Sequence, residues 1–202
     1  MARAEVAVSQ GVLESLHMRV VAGVAGGRRL KGPPGPTTRA TTDKVREAAF
    51  NALAGIFPVE GASVADLFAG TGACGIEALS RGAAEVTFVD HDAKSLSVVR
   101  ANLAITGLSG SVVKSDVLKF VSKTHHFDIA ICDPPYRFDQ WDILLGRLSA
   151  SVAVCESDRA IKAVEGWSLV RERRYGDTVV IILEADGQIG EADGQIDGTD
   201  QL

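Results

Sequence analysis

Asp133-Pro134-Pro135-Tyr136 directly follows an apolar run, Ile129-Ala-Ile-Cys132. Two successive prolines fix two φ angles and bar a strand from continuing. The result is a rigid platform that offers a carboxylate, backbone carbonyls without helix partners, and an aromatic ring. That set suits transfer of a methyl group to an exocyclic amino nitrogen, whose lone pair is delocalised into its base. A carboxylate and a carbonyl that accept both N–H bonds turn the lone pair outward and stabilise the positive charge developing on nitrogen. The tyrosine ring can stack on a base held outside its helix. The bland alternative is a strand-ending turn with Tyr136 packed into the core.

A second stretch, Asp66-Leu-Phe-Ala-Gly-Thr-Gly-Ala-Cys-Gly75, places Gly70-x-Gly72-x-x-Gly75 between a short apolar run and a helical pattern. Glycines there let the chain turn tightly and let a ligand lie against the backbone. The pattern alone fits a dinucleotide site, an S-adenosylmethionine site or plain tight packing. Asp66 shifts the balance. A carboxylate is a poor neighbour for a pyrophosphate and a favourable one for a sulfonium and an ammonium. Asp90 ends the next strand and suits ribose hydroxyls, a feature shared by both cofactor classes. Asp116 follows the third strand and suits an adenine amino group. Each acid has an alternative reading as a helix cap.

These stretches need a frame to hold them. The chain has 202 residues, 46% hydrophobic and 23% charged, which excludes a disordered, collagen-like or coiled-coil chain and fits one domain. Three widely spaced cysteines, with no CxxC, oppose a disulfide framework or a zinc site and suit a reducing cytosol. No run reaches the roughly 20 apolar residues of a membrane span, and no signal peptide is evident. A cytoplasmic protein is expected. The net charge of −5 hides an asymmetry: residues 18–47 hold seven bases against two acids, and residues 184–202 hold six acids and no base. A basic arm is what an anionic partner needs, although a merely solvated face has the same composition.

The rhythm predicts strands at 63–68, 86–89, 112–113, 129–132 and 152–155. Helices are predicted at 44–56, 75–81, 93–105 and 144–148, the first capped by Thr42 or Asp43 and the third closed by Gly107. Residues 19–22 and 28–31 read as a small hairpin, 32–36 as a loop, and 168–174 with 178–183 as a terminal hairpin. Alternating strands and helices imply an α/β fold, a doubly wound and mostly parallel sheet with an antiparallel C-terminal hairpin. Ligands in such sheets bind outside the carboxyl ends of the strands, so both motifs are expected on one rim. The organisation reads as a flexible extension (1–17), a basic hairpin and helix (18–60), the main domain (61–184) and a disordered acidic tail (185–202), whose EADGQI repeat is low in complexity. Met18 is an alternative start.

Together the motifs resemble Rossmann-like class I S-adenosylmethionine-dependent amino-methyltransferases. Within them the chain is similar to the bacterial 16S rRNA guanine-N2 methyltransferase family, RsmD. The resemblance spans residues 19–183. It rests on Arg19-Val-Val-Ala-Gly23, Gly26-Gly-Arg-Arg-Leu30, Thr41-Thr-Asp-Lys-Val-Arg-Glu47, Phe50-Asn51, Asp66–Gly72, residues 75–83, Asp133–Tyr136 and Tyr175-Gly-Asp-Thr178. Thr71, Cys74, Ala40 and Asp90 depart from the common pattern without removing a needed group.

The resemblance implies methyl transfer from S-adenosylmethionine to N2 of one specific guanine of 16S rRNA, within the small subunit or an assembly intermediate, with neither metal nor membrane. The implied catalytic residues are Asp133, Pro134, Pro135 and Tyr136. The cofactor set is Asp66, Phe68, Ala69, Gly70, Thr71, Gly72, Asp90, His91, Asp116 and Val117. Arg28, Arg29, Lys31, Arg39, Lys44 and Arg46 would meet RNA, as phosphate contacts that position without reading sequence. A DNA adenine-N6 methyltransferase shares the Asp-Pro-Pro-Tyr element, but there is no room for its target-recognition insertion. A nicotinamide-dependent oxidoreductase leaves that element unexplained, and a non-catalytic RNA-binding protein leaves its intactness unexplained.

Among the remaining residues, His125 and His126 read as loop residues and Cys132 as a small buried hydrophobe. Phe138 and Trp141 flank the base site or pack in the core. Glu156 lies at the rim after a strand, and Arg173 and Arg174 extend the basic face.

Overall fold

The computed structural model describes residues 18–32, 43–123 and 126–187. Seven strands form one sheet in the order β3-β2-β1-β4-β5-β7-β6. They are β1 (Ser63–Leu67), β2 (Glu85–Asp90), β3 (Ser111–Lys114), β4 (Phe127–Cys132), β5 (Ala150–Ser157), β6 (Trp167–Tyr175) and β7 (Thr178–Ala185). The first five are parallel, and β7 inserts antiparallel between β5 and β6. The expected doubly wound sheet with an antiparallel end is therefore the fold observed. Central strands such as Ser63–Leu67 and Phe127–Cys132 are near-continuous apolar runs because both of their faces are covered.

One face carries α1 (Asp43–Ala54), α2 (Ala73–Ser80) and α3 (Ala93–Thr106), packed with the arm residues Met18, Val20, Ala25 and Leu30. The other carries α4 (Val117–Val121) and α5 (Trp141–Arg147), over Leu67, Val89, Cys132 and Cys155. Asp128 at the start of β4 accepts the Ser63 backbone N–H at 2.7 Å and its hydroxyl at 2.8 Å, which locks the register of β1 against β4. These hydrogen bonds hold the Asp128 carboxyl below the usual range. Among the described residues no helix is long and apolar enough to cross a membrane.

The expected arm hairpin forms, with Val20 N–H donating to the Arg28 carbonyl and Leu30 N–H to the Met18 carbonyl around the Arg19–Arg29 bridge, and α2 and α3 hold further donors of the arm. Two local expectations change. Helix α4 is not anticipated by the pattern; it has five residues, too few for an apolar period to show. Asp43 is the first residue of α1 rather than its cap. The Thr42 cap, Pro33 to Pro36, Arg39, His125, residues 1–17 and residues 188–202 lie outside the described residues.

Candidate active site

The parallel register brings both motifs to the carboxyl rim. Leu67 of β1 is flanked by Val89 of β2 and Cys132 of β4, so the glycine loop, Asp90 and Asp133 emerge side by side. The loop after β1 is wound tightly. Phe68 has φ 62°, unusual for a residue with a side chain. Gly72 caps α2 at φ 78°. A Cβ on Gly75 would lie 2.3 Å from Phe88 and 2.9 Å from Asp66 Oδ2, so only glycine lets α2 come this close to β1 and β2.

Asp66 lies beneath that loop. It is 2% exposed, and its Oδ2 accepts the Gly75 N–H at 2.8 Å. Burial raises its pKa to about 8, opposed by the Gly75 N–H and reinforced by the negative charges of Asp133 and Asp90. Asp66 thus accepts a hydrogen bond at the strand end, shapes the turn from below and carries its proton at neutral pH. Because the Gly75 N–H is taken, the first turn of α2 has lost a donor that a pyrophosphate would use.

Asp90 is buried, and both its oxygens are engaged. Oδ2 accepts the Gly70 N–H at 2.9 Å and Oδ1 the Asp92 N–H at 2.8 Å. It therefore braces the loop, and only its remaining lone pairs can meet a ribose. His91 is exposed beside it, with Nδ1 3.4 Å from Asp90 Oδ1. Asp116 caps α4, accepting the Lys119 N–H at 3.0 Å, so the capping role set against the ligand role is present. Val117 is 4% exposed, its side chain within the core beside Leu67 and Val89. Thr71 and Ala69 are likewise buried, while Gly70 between them is partly exposed.

On the other side of the rim, Asp133 is half-buried, Pro134 buried and Pro135 exposed. Tyr136 is 41% exposed, so its ring is presented rather than packed into the core. Its carbonyl accepts from Arg159 Nη2 at 3.3 Å, and its hydroxyl lies 3.5 Å from Thr178 Oγ1. Phe138 closes the turn by donating its N–H to the Pro135 carbonyl at 2.8 Å. Its ring meets Phe68 edge-on at 5.2 Å and Trp141 at 5.3 Å, so an aromatic contact joins the two motifs. Trp141 itself is core. Cys132 is fully buried with its thiol pKa pushed up, first by the Cys155 side chain and then by burial, as suits a small hydrophobe.

The basic arm divides. Arg28, Arg29, Lys31 and Lys44 are exposed, although Arg28 also donates to the Ile105 carbonyl at 3.0 Å. Arg46 is 1% exposed, which removes it from any phosphate-facing set. Its Nη2 donates to Asp43 at 2.8 Å and to the Arg19 carbonyl, and its Nε lies 3.7 Å from Glu77. Lys44 and Arg46 look alike as charges along a sequence; helical position alone sends Arg46 inward.

Two positioning residues carry no sequence expectation. Glu77, 0% exposed on α2, accepts the Val21 N–H at 2.7 Å, the Ala22 N–H at 3.0 Å and Arg81 Nε at 2.8 Å. Asn102, 0% exposed on α3, accepts the Lys31 N–H at 2.7 Å and donates to the Lys31 and Thr71 carbonyls at 3.1 and 2.9 Å. It therefore ties the arm to the glycine loop. The signal that could have found both is a lone polar residue inside an apolar helix face.

The residues present fit S-adenosylmethionine better than a dinucleotide. The rim carries the carboxyls of Asp90, Asp133 and Asp116, and the helix-end donor that a pyrophosphate would use is spent on Asp66 beneath the loop. Among the described residues no group of His, Cys, Asp and Glu could hold a metal ion.

The family model described as conserved hypothetical protein 95 matches residues 18–184. The chain is 35% identical over 186 residues to the putative rRNA methyltransferase YlbH of Bacillus subtilis, covering 84% of this chain and all of that one. It is 33% identical over 197 residues to the ribosomal RNA small subunit methyltransferase D of Escherichia coli, covering 88% and 94%. Among solved structures, the putative methyltransferase yhhF from Escherichia coli superposes with a TM-score of 0.73 at 32% identity, covering 84% and 98% of the two chains.

Proposed function

Because the chain belongs to the conserved hypothetical protein 95 family, the RsmD family, we propose that it methylates N2 of one specific guanine in 16S rRNA of the small ribosomal subunit. S-adenosylmethionine, when bound, supplies the methyl group as an electrophile on a sulfonium sulfur. The backbone of residues 68–72 would hold it, with Asp90 toward the ribose, Asp116 toward the adenine, and the protonated Asp66 keeping the loop in shape.

The observation that carries this reading is the shared rim: the Asp133–Tyr136 platform and the glycine loop are locked together through Phe68 and Phe138. Tyr136 stacks on the target base. Asp133 and a backbone carbonyl of the proline segment accept the two N–H bonds of the amino group, which frees its lone pair. Asp133 then offsets the positive charge that develops on that nitrogen. The exposed Arg28, Arg29, Lys31 and Lys44 meet phosphates and set orientation. Target choice comes from RNA shape and the splayed base, which suits an assembled or partly assembled small subunit in the cytoplasm.

The test offers labelled S-adenosylmethionine with unmethylated small subunits, free 16S rRNA and duplex DNA side by side. Label is expected in the subunit RNA and is expected to vanish with Asp133→Ala. Label in DNA adenine would keep the platform and overturn the substrate.

A further inference from the structure

Cys132, the last residue of β4, pairs in register with Cys155 of β5, so Asp133, just past the end of β4, follows beside Glu156 of β5. Their strands lie roughly 4.8 Å apart. Both side chains are half-buried and border one hollow, walled by Phe50, Leu53, Ile131, Val154 and Val180. Arg46 lines the same hollow, and its buried Nη1 has no hydrogen-bond partner among the described residues. Asp133 is absorbed by the proposed reaction; Glu156 is not.

Two acids side by side at the sheet rim suit a partner that brings a row of hydrogen-bond donors. Among the bases only guanine has such a row on its pairing edge: the N2 amino group beside the N1–H. Adenine and cytosine place a ring acceptor next to their amino group. Set against Asp133, that acceptor would face a second carboxylate and leave both without a proton between them.

We propose that Glu156 is a specificity-determining residue that accepts the guanine N1–H while Asp133 holds N2, so that the acid pair admits guanine and rejects adenine. This inference rests on the methyl-transfer reading above. It assigns to β5 a recognition role that its apolar stretch, residues 150–155, does not suggest, and it explains why an acid follows that stretch beside the platform.

The experiment measures kcat/KM with unmethylated small subunits carrying guanine at the labelled position and with reconstituted subunits carrying adenine there. Wild type, Glu156→Gln, Glu156→Asp and Asp133→Ala are compared, each with its thermal midpoint and S-adenosylmethionine affinity. Glu156→Gln is expected to lose about 10- to 100-fold on guanine. Its cofactor affinity and midpoint should hold, and its guanine-over-adenine preference should shrink because the amide can donate to adenine N1. Glu156→Asp is expected to keep the preference at a reduced rate. Wild-type rate and preference in Glu156→Gln, with Asp133→Ala inactive, would overturn the role of Glu156 and leave the proposed function standing. Absence of guanine label with the wild-type protein would overturn both.

Discussion

Asp66 shows how one carboxyl can serve the site without touching the reaction. Its pKa of about 8 in the fold, against an ordinary value of 3.8, comes mainly from burial. The folded state therefore holds a proton that the unfolded chain has released. Its contribution to stability is fully present below the unfolded value and is lost as pH rises toward the folded one. Asp66→Asn keeps an acceptor for the Gly75 N–H and removes the titration. The expected result is a thermal midpoint that gains on wild type as pH rises from 5 to 8; parallel midpoint curves would contradict the assignment. Gly75→Ala is expected to lower stability by about 1–3 kcal/mol, through overpacking against Phe88 and the Asp66 carboxyl, and to weaken S-adenosylmethionine binding, read by denaturant titration and calorimetry. At this scale Asp133, Tyr136 and the glycines were legible in the sequence, because prolines and glycines announce backbone geometry directly. Arg46 misled because residue type does not reveal which way a side chain faces.

Helix α2 and helix α3 do more than cover the sheet. Glu77 and Asn102 use their side chains as anchors for the arm's backbone, pairing groups of Val21, Ala22 and Lys31 in addition to the arm's own hydrogen bonds. Glu77 also faces the buried Arg46 and the Arg81 guanidinium. Removing one partner of such a buried set leaves charge without compensation, so Glu77→Ala is expected to cost about 3–5 kcal/mol in urea unfolding. A change below about 1 kcal/mol would contradict the anchoring role. The order of strands and helices was readable because the central strands are short apolar runs and the charged strand β6 is tied to apolar β7 by the Tyr175-Gly-Asp turn. Helix α4 was too short for a period, and the arm's partners are 55 to 71 residues away in sequence, beyond any local pattern.

Across the whole molecule, charge is sorted by place. Arg28, Arg29, Lys31 and Lys44 lie on the arm and the exposed side of α1, while Asp90, Asp116 and Asp133 lie at the rim. Under the proposed function the arm attracts an RNA backbone and the rim a group rich in donors. Removing Arg29 and Lys44 together is expected to lower the slope of log affinity for small subunits against log salt by about 0.7–0.9 for each phosphate no longer neutralised, with S-adenosylmethionine affinity unchanged. An unchanged slope would move the RNA-binding surface elsewhere on the molecule. Methylation of a guanine amino group at the rim is tested most directly by the identity of the modified nucleoside, read by mass after digesting small subunits treated with the protein and isotopically labelled S-adenosylmethionine. Labelled N2-methylguanosine is expected at one position, absent with Asp133→Ala. Label in any other nucleoside, or none from a protein that binds S-adenosylmethionine, would contradict it.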